Sequence, residues 1–304
     1  MKNGTGKHPG VIRWSHWANV PLLSMMVWSG LLIYWADDVF RIGWGKTTLV
    51  SFFPQWFYDL FGIGGRLAEG MSLHFTFMWL FAANGLVYAL ALLITGEWRA
   101  VVPNRSSLRE AYQVVLHDLG LRKQPLPDQK FNGAQRLAYT GAMVLGAGSL
   151  LTGLALYKPV QASGLTELLG GYEMARFLHF WIMMAFVAFV VVHVAQVARA
   201  GWKHARPMFT GGRLGKSLAV GAGVFVASAA CYVWVQTRER EGDTPWPLRR
   251  VLEFNEALSR AAFDPKKLAK EHPAKDVENP RENGDIGMEG EFDPALWSLD
   301  VQSG

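Results

Sequence analysis

The sequence predicts an all-α integral membrane protein: a four-helix bundle, a fifth transmembrane helix and a mostly irregular C-terminal tail. Three observations predict it. Half of the 304 residues are apolar, and 13 Trp and 18 Phe are more than an ordinary soluble domain carries. Windows of about 20 apolar residues, enough to cross the hydrocarbon core of a bilayer, fall near residues 17–35, 71–94, 134–157, 172–197 and 214–235. The charge balance then reverses: residues 1–236 hold 20 Lys and Arg against 10 Asp and Glu, residues 237–304 hold 10 against 15. The expected domains are 1–205 for the bundle, 206–236 for the fifth helix and 237–304 for an extramembrane tail.

The first helix should begin at His8-Pro9, since proline is tolerated in a first turn. It is too long for a signal-peptide core and has no small-residue cleavage site, so it is expected to be retained. Residues 37–70 form a loop dense in aromatics (Trp44, Phe52, Phe53, Trp56, Phe57, Tyr58, Phe61), expected as an amphipathic segment in the membrane interface. The second span opens at Ser72-Leu73-His74. Residues 108–119 repeat apolar groups at helical spacing behind Ser106 or Ser107, the pattern of a capped surface helix. The third span carries Thr140, Gly141, Gly146, Gly148, Ser149, Thr152 and Gly153, small enough for close approach by another helix or a flat macrocycle. The fourth is an almost uninterrupted apolar run holding His179 and His193. The fifth is rich in Ala, Gly and Val and has no ionisable residue between Lys216 and Cys231. In the tail, residues 249–263 are expected to form a short helix, and the remainder has too few large apolar groups to bury a core alone.

The basic total does not imply nucleic acid. With the N-terminus on the cytoplasmic side, the N-terminal arm and the 97–136 and 199–216 loops carry 15 Lys and Arg, against 5 in the two opposite loops. The positive-inside rule therefore expects a bacterial inner-membrane protein with a cytoplasmic N-terminus and, after five spans, a periplasmic tail. One cysteine cannot form an intrachain disulfide, a Cys-ligated cluster or a covalent Cys-x-x-Cys-His haem attachment. No His-Glu-x-x-His zinc motif occurs, and the glycine clusters at 62–65 and 211–215 follow no strand, which removes the nucleotide-loop readings.

Ionisable residues inside a membrane are costly and mark function by default. His179 and His193 lie fourteen residues apart, about four turns and about 21 Å along one helix, both on one face. With alternating spans, His16 falls at the depth of His193, and His74 at the depth of His179. Two imidazole pairs at two depths are what two six-coordinate haem irons require, each held between two helices. Arg13, one turn before His16, is placed to meet a haem propionate or a lipid headgroup. A haem-free anchor that recruits a partner through its tail is the alternative.

Residues 9–205 resemble the di-haem b-type membrane subunits of bacterial respiratory oxidoreductases: the formate dehydrogenase gamma subunit, the nickel–iron hydrogenase b-type cytochrome and thiosulfate-reductase-like cytochromes b. The resemblance is carried by Arg13-Trp14-Ser15-His16-Trp17, His74, Asn132-Gly133-Ala134-Gln135-Arg136-Leu137, His179 and His193. It implies two haem b groups on His16/His193 and His74/His179, the same pairing as the depth argument. It also implies a membrane quinone near the inner haem, with Asn132, Gln135 and Gln196 as candidate hydrogen-bonding residues. Helix capping and interhelix bonding are the plainer reading of each. The tail segments 247–256, 283–287 and 293–301 resemble the lead-in to a sulfite-oxidase-like molybdopterin enzyme, which implies a periplasmic partner of that class.

Overall fold

Four apolar helices of 25 to 29 residues set the architecture of the computed structural model: α1 (Gly10–Tyr34), α3 (Leu67–Thr95), α6 (Gly133–Tyr157) and α8 (Tyr172–Ala200). At about 1.5 Å per residue each is about 38–44 Å long, and all four have the length and hydropathy to cross a membrane. The structure describes residues 9–37, 40–44, 47–122, 131–201, 226, 230–241 and 244–263. The fifth apolar window lies largely outside the described residues, and so does the tail beyond residue 263.

The four helices alternate in direction. α1 packs mainly on α3, and α6 mainly on α8. One end of the bundle, called here the near end, gathers Ile12 from the start of α1, Leu92 from the end of α3, Val101 and Phe131. The far end gathers Leu31 and Leu32 of α1, Leu73 of α3, Tyr58, Ile63 and Leu248. Between the ends, large apolar side chains face outward, among them Leu86, Val144, Leu151 and Val191. In water such surface is unfavourable; in lipid it is the expected exterior.

At the near end, α4 (Trp98–Val101) and α5 (Ser107–Asp118) follow α3. The start of α5 is organised differently from the expected serine cap. Asn104 accepts through Oδ1 from the Ser106 amide (3.2 Å) and the Ser107 hydroxyl (2.8 Å), so the asparagine fixes the turn. α5 then lies so close to the start of α6 that a Cβ on Gly133 would run into the Ser107 carbonyl.

At the far end, the aromatic loop departs from a flat interfacial segment. It forms a hairpin, β1 (Arg41–Trp44) antiparallel to β2 (Thr47–Ser51), and a short helix α2 (Gln55–Phe61). Part of its aromatic set turns inward onto α8: Phe180 meets Phe40 at 4.7 Å, Phe52 at 5.7 Å and, from the end of α1, Tyr34 at 5.1 Å. Such ring pairs add to area burial, whereas Trp56 and Phe61 stay exposed as an interfacial segment requires. Arg176 of α8 ties the same corner together, donating to the Asp37 carboxylate at 2.7 Å and to its carbonyl at 2.5 Å. The short helix α7 (Ser163–Leu168) links α6 to α8.

Gln196 and Arg199 of α8 bond Asp118 at the near end, while Gln236 donates to Glu69 of α3 at the far end (3.1 Å). Arg199 and Gln236 thus lie at opposite ends of the bundle, and residues 230–236 are helical. A two-residue ladder, β3 (Arg240–Glu241) with β4 (Thr244–Pro245), leads into α9 (Trp246–Ala261). This helix starts three residues before the expected position, because Pro247 in its first turn needs no backbone donor. It is docked on the bundle: Leu248 joins the far-end cluster. Buried Asn255 accepts from Trp79 Nε1 (3.2 Å), and its carbonyl accepts from the Tyr157 hydroxyl (3.2 Å).

The α1/α3 contact depends on small residues. Ser29 and Ser72 are fully buried, and a Cβ on Gly70 would sit 2.7 Å from Leu32 Cβ and 3.2 Å from the Ile33 backbone nitrogen. Gly70→Ala is expected to force the helices apart at a cost of about 1–3 kcal/mol, read as a lower thermal unfolding midpoint in detergent. Gly85→Ala, at a position with nothing within 4 Å, should show no such loss.

Candidate functional site

The bundle brings the four intramembrane histidines together as two couples. His16 of α1 faces His193 of α8, with ring centroids 6.0 Å apart and ring planes at 67°. His74 of α3 faces His179 of α8 at 6.2 Å and 69°. The first couple lies toward the near end, the second toward the far end, so α8 supplies one imidazole to each.

Each couple is held by its own surroundings. At the far end the Ser29 hydroxyl of α1 lies 2.9 Å from His74 Nδ1. The Thr152 hydroxyl of α6 lies 2.9 Å from His179 Nδ1. The residue after each hydroxyl is a glycine facing the same ring: a Cβ on Gly30 would be 3.7 Å from His74 Cε1, and one on Gly153 3.3 Å from His179 Cε1. At the near end His193 stacks on Phe189, one turn earlier on α8, at 5.7 Å and 14°, and His16 meets Trp17 edge-on at 5.5 Å. An arginine stands one turn toward the bundle end from one histidine of each couple. Arg176, before His179, is paired with Asp37. Arg13, before His16, keeps Nε buried without a hydrogen-bond partner.

The remaining residues singled out from sequence have structural partners. Asn132 and Gln135 form a reciprocal capping box at the start of α6, with Asn132 Oδ1 accepting from the Gln135 amide (2.9 Å) and Gln135 Oε1 from the Asn132 amide (3.0 Å). Both carbonyl oxygens are thereby engaged, and each side-chain NH2 keeps its donors. Gln196, one turn beyond His193, donates from Nε2 to Asp118 Oδ2 at 3.0 Å. His117, at the end of α5, lies beside Asp118 with Nδ1 3.8 Å from Oδ1 and its side chain partly exposed. Ser29 escaped the sequence reading, since a serine in an apolar helix bonds its own backbone as readily as a neighbour. Thr152 and Gly153 stood out only as small residues.

Facing imidazoles inside an apolar bundle are an arrangement that can hold a cofactor through histidine nitrogens. The chain belongs to the prokaryotic cytochrome b561 family, whose model matches residues 7–211. A curated relative, named putative protein-methionine-sulfoxide reductase subunit YedZ1, from Azospira oryzae, is 38% identical over 192 residues, covering 63% of this chain and 89% of the relative. No solved structure matches the chain significantly. The protein is thus a membrane-bound b-type cytochrome that binds haem b and acts as an electron-transfer subunit.

The residues present fit that group. A metal–imidazole bond of about 2 Å on each side, plus about 1 Å from ring nitrogen to centroid, separates two axial rings by about 6 Å, which matches both couples. The glycines at 30 and 153 leave the ring edges free of side-chain bulk. The buried donor of Arg13 is suited to a carboxylate. Gly153→Val should push on the His179 ring and lower the haem-to-protein ratio of purified protein, measured by pyridine haemochrome, while Gly141→Val, which faces open space, should leave the ratio unchanged.

Proposed function

We propose that the protein holds two haem b groups, one between His16 and His193 and one between His74 and His179, and carries electrons across the membrane between a quinone and an external redox partner. The single observation behind this reading is the pair of imidazole couples, at 6.0 Å and 6.2 Å, at opposite ends of one bundle. Bound haem supplies a one-electron couple whose potential follows its axial ligands and surroundings. The chain's own contribution is to fix four imidazole rings at two depths.

On this reading Arg13 binds a propionate of the near-end haem, its buried Nε meeting a carboxylate oxygen. The quinone side is the near end. There Gln196 stands one turn from His193, oriented by Asp118, which also accepts from Arg199, and Gln135 at the start of α6 is exposed. The NH2 groups of Asn132, Gln135 and Gln196 are the donors available to quinone carbonyls. The near end is the cytoplasmic one by the positive-inside count, which places the N-terminus inside, the far end at the periplasm and the membrane as the bacterial inner membrane. Residues 206–236 then form a fifth span, and residues 237–304 a periplasmic segment for docking.

The partner proposed is a periplasmic molybdopterin-type oxidoreductase. Support comes from the tail's resemblance to the lead-in of such an enzyme, and from a relative that is itself named as a reductase subunit. No lone catalytic residue is assigned; the activity is electron transfer, with quinone oxidation or reduction at the near-end haem.

Pyridine haemochrome on purified wild-type protein should give two haems per chain, and His16→Ala and His74→Ala should each give one. Unchanged haem content in both variants would overturn the ligand assignment. Copurification from native membranes should bring down a molybdenum-containing subunit; a cytochrome recovered alone, under conditions that keep its haem, would remove that partner.

A further inference from the structure

We infer that Ser29 and Thr152 are positioning residues that lock His74 and His179 in the Nδ1-protonated tautomer, so that both imidazoles of the far-end couple present an Nε2 lone pair to a shared metal. This rests on the haem reading above and adds to it which ring nitrogen each side chain offers, and what enforces it.

The argument is a count of protons. A serine or threonine hydroxyl has one hydrogen to donate and lone pairs to accept with. Ser29 Oγ lies 2.6 Å from the Met25 carbonyl and 3.2 Å from the Met26 carbonyl. Carbonyl oxygens only accept, so the hydroxyl hydrogen is directed to them. The remaining contact, Oγ to His74 Nδ1 at 2.9 Å, can then be a hydrogen bond only if Nδ1 carries the hydrogen. Thr152 repeats the arrangement. Its Oγ1 lies 2.7 Å from the Gly148 carbonyl and 3.3 Å from the Ser149 carbonyl, which leaves it to accept from His179 Nδ1 at 2.9 Å. A neutral imidazole with hydrogen on Nδ1 has its lone pair on Nε2, and the two rings face each other at 6.2 Å.

Three features show a built arrangement. The two hydroxyls come from different helices, α1 and α6, and reach histidines on α3 and α8 respectively. Each is anchored to its own helix by the same i−4 bond. Each is followed by a glycine whose missing Cβ would meet Cε1 of the same ring, the carbon between the two nitrogens. The hydroxyl thus grips one edge of the ring, and the glycine keeps the adjoining edge unobstructed. Ser29 is fully buried and Thr152 nearly so, so water does not substitute as acceptor. The Met26 and Ser149 carbonyls that anchor the hydroxyls also lie within reach of the His74 and His179 rings as acceptors, favouring the same tautomer. Ligand histidines commonly donate their second N–H to an outer partner, which orients the ring and raises its basicity. Here that partner is a hydroxyl already committed as a donor elsewhere.

The test uses the full chain, purified with its haem. Thr152→Val keeps the shape and removes the hydroxyl; Thr152→Ser keeps the hydroxyl; Ser29→Ala removes its counterpart; His74→Ala identifies the far-end component in a redox titration. Without the acceptor the imidazole donates less electron density to iron. In Thr152→Val and Ser29→Ala, the component missing from His74→Ala should therefore move to more positive potential with altered low-spin EPR g values. The other component should stay in place, and Thr152→Ser should behave as wild type. If a hydroxyl-free variant loses that haem altogether, retention in Thr152→Ser supports the inference and loss in it overturns the inference. A far-end component with wild-type potential and g values in both Thr152→Val and Ser29→Ala sinks the tautomer assignment alone. Full haem content in His74→Ala sinks the haem reading beneath it.

Discussion

Putting an imidazole into the interior of a lipid-embedded helix bundle creates an obligation that the rest of this structure is arranged to meet. The neutral ring carries one donor and one acceptor, and an unmatched polar group in an apolar interior costs several kcal/mol. The far-end couple meets half of it with protein groups: the hydroxyls of Ser29 and Thr152 at 2.9 Å. On the haem reading proposed above, the other half is met by an iron held between the two rings. The near-end couple is framed instead by rings, Trp17 beside His16 and Phe189 stacked on His193. The two couples thereby lie in environments of different polarity, which on the two-haem reading is a route to unequal potentials.

The helices are related in pairs, and the relation is broken where it matters. Ser29 of α1 serves His74 of α3 as Thr152 of α6 serves His179 of α8, so the far-end site is built nearly symmetrically from both pairs. Fourteen residues along, the correspondence fails: α8 has His193 and α3 has Tyr88. Thirteen residues back, α1 has His16 and α6 has Tyr139. Tyr88 and Tyr139 pack with Ile12, Leu92, Val101 and Phe131. The near end therefore holds an imidazole couple between α1 and α8, and an aromatic–apolar cluster where the related helices α3 and α6 meet. On the haem reading, that asymmetry leaves one site at the near end.

The two ends also differ in what surrounds them. The far end is closed by the aromatic loop, the Arg176–Asp37 pair and α9, the last fixed by Asn255 to Trp79 and Tyr157. The near end is polar, with Asp118 binding both Gln196 and Arg199 beside the last turn of α8. An electron carrier needs one face toward a membrane-soluble redox molecule and another toward a protein. This difference between the bundle ends supports the proposal that a quinone is met at one and a partner at the other.

Much of this was legible in the sequence, because the membrane restricts the choices. An apolar run of span length can only be a helix, alternation of spans fixes depth, and depth sorts four histidines into two couples without knowledge of packing. Charge bias is the basis of the proposed orientation. Other features are not encoded locally. A serine in an apolar run reads the same whether it bonds its own carbonyl or a histidine 45 residues away, and only the α1/α3 crossing, permitted by Gly70, decides it. The aromatic loop had the composition of an interfacial segment, and its inward turn depends on Phe180 being presented by α8. Asn132 and Gln135 fitted both a cap and a ligand site; their reciprocal bonds emerge only with the backbone in place. Sequence determined which elements form and at what depth, because those follow from solvent and periodicity. Tertiary structure decided which polar group meets which, because that is set by helices far apart in the chain.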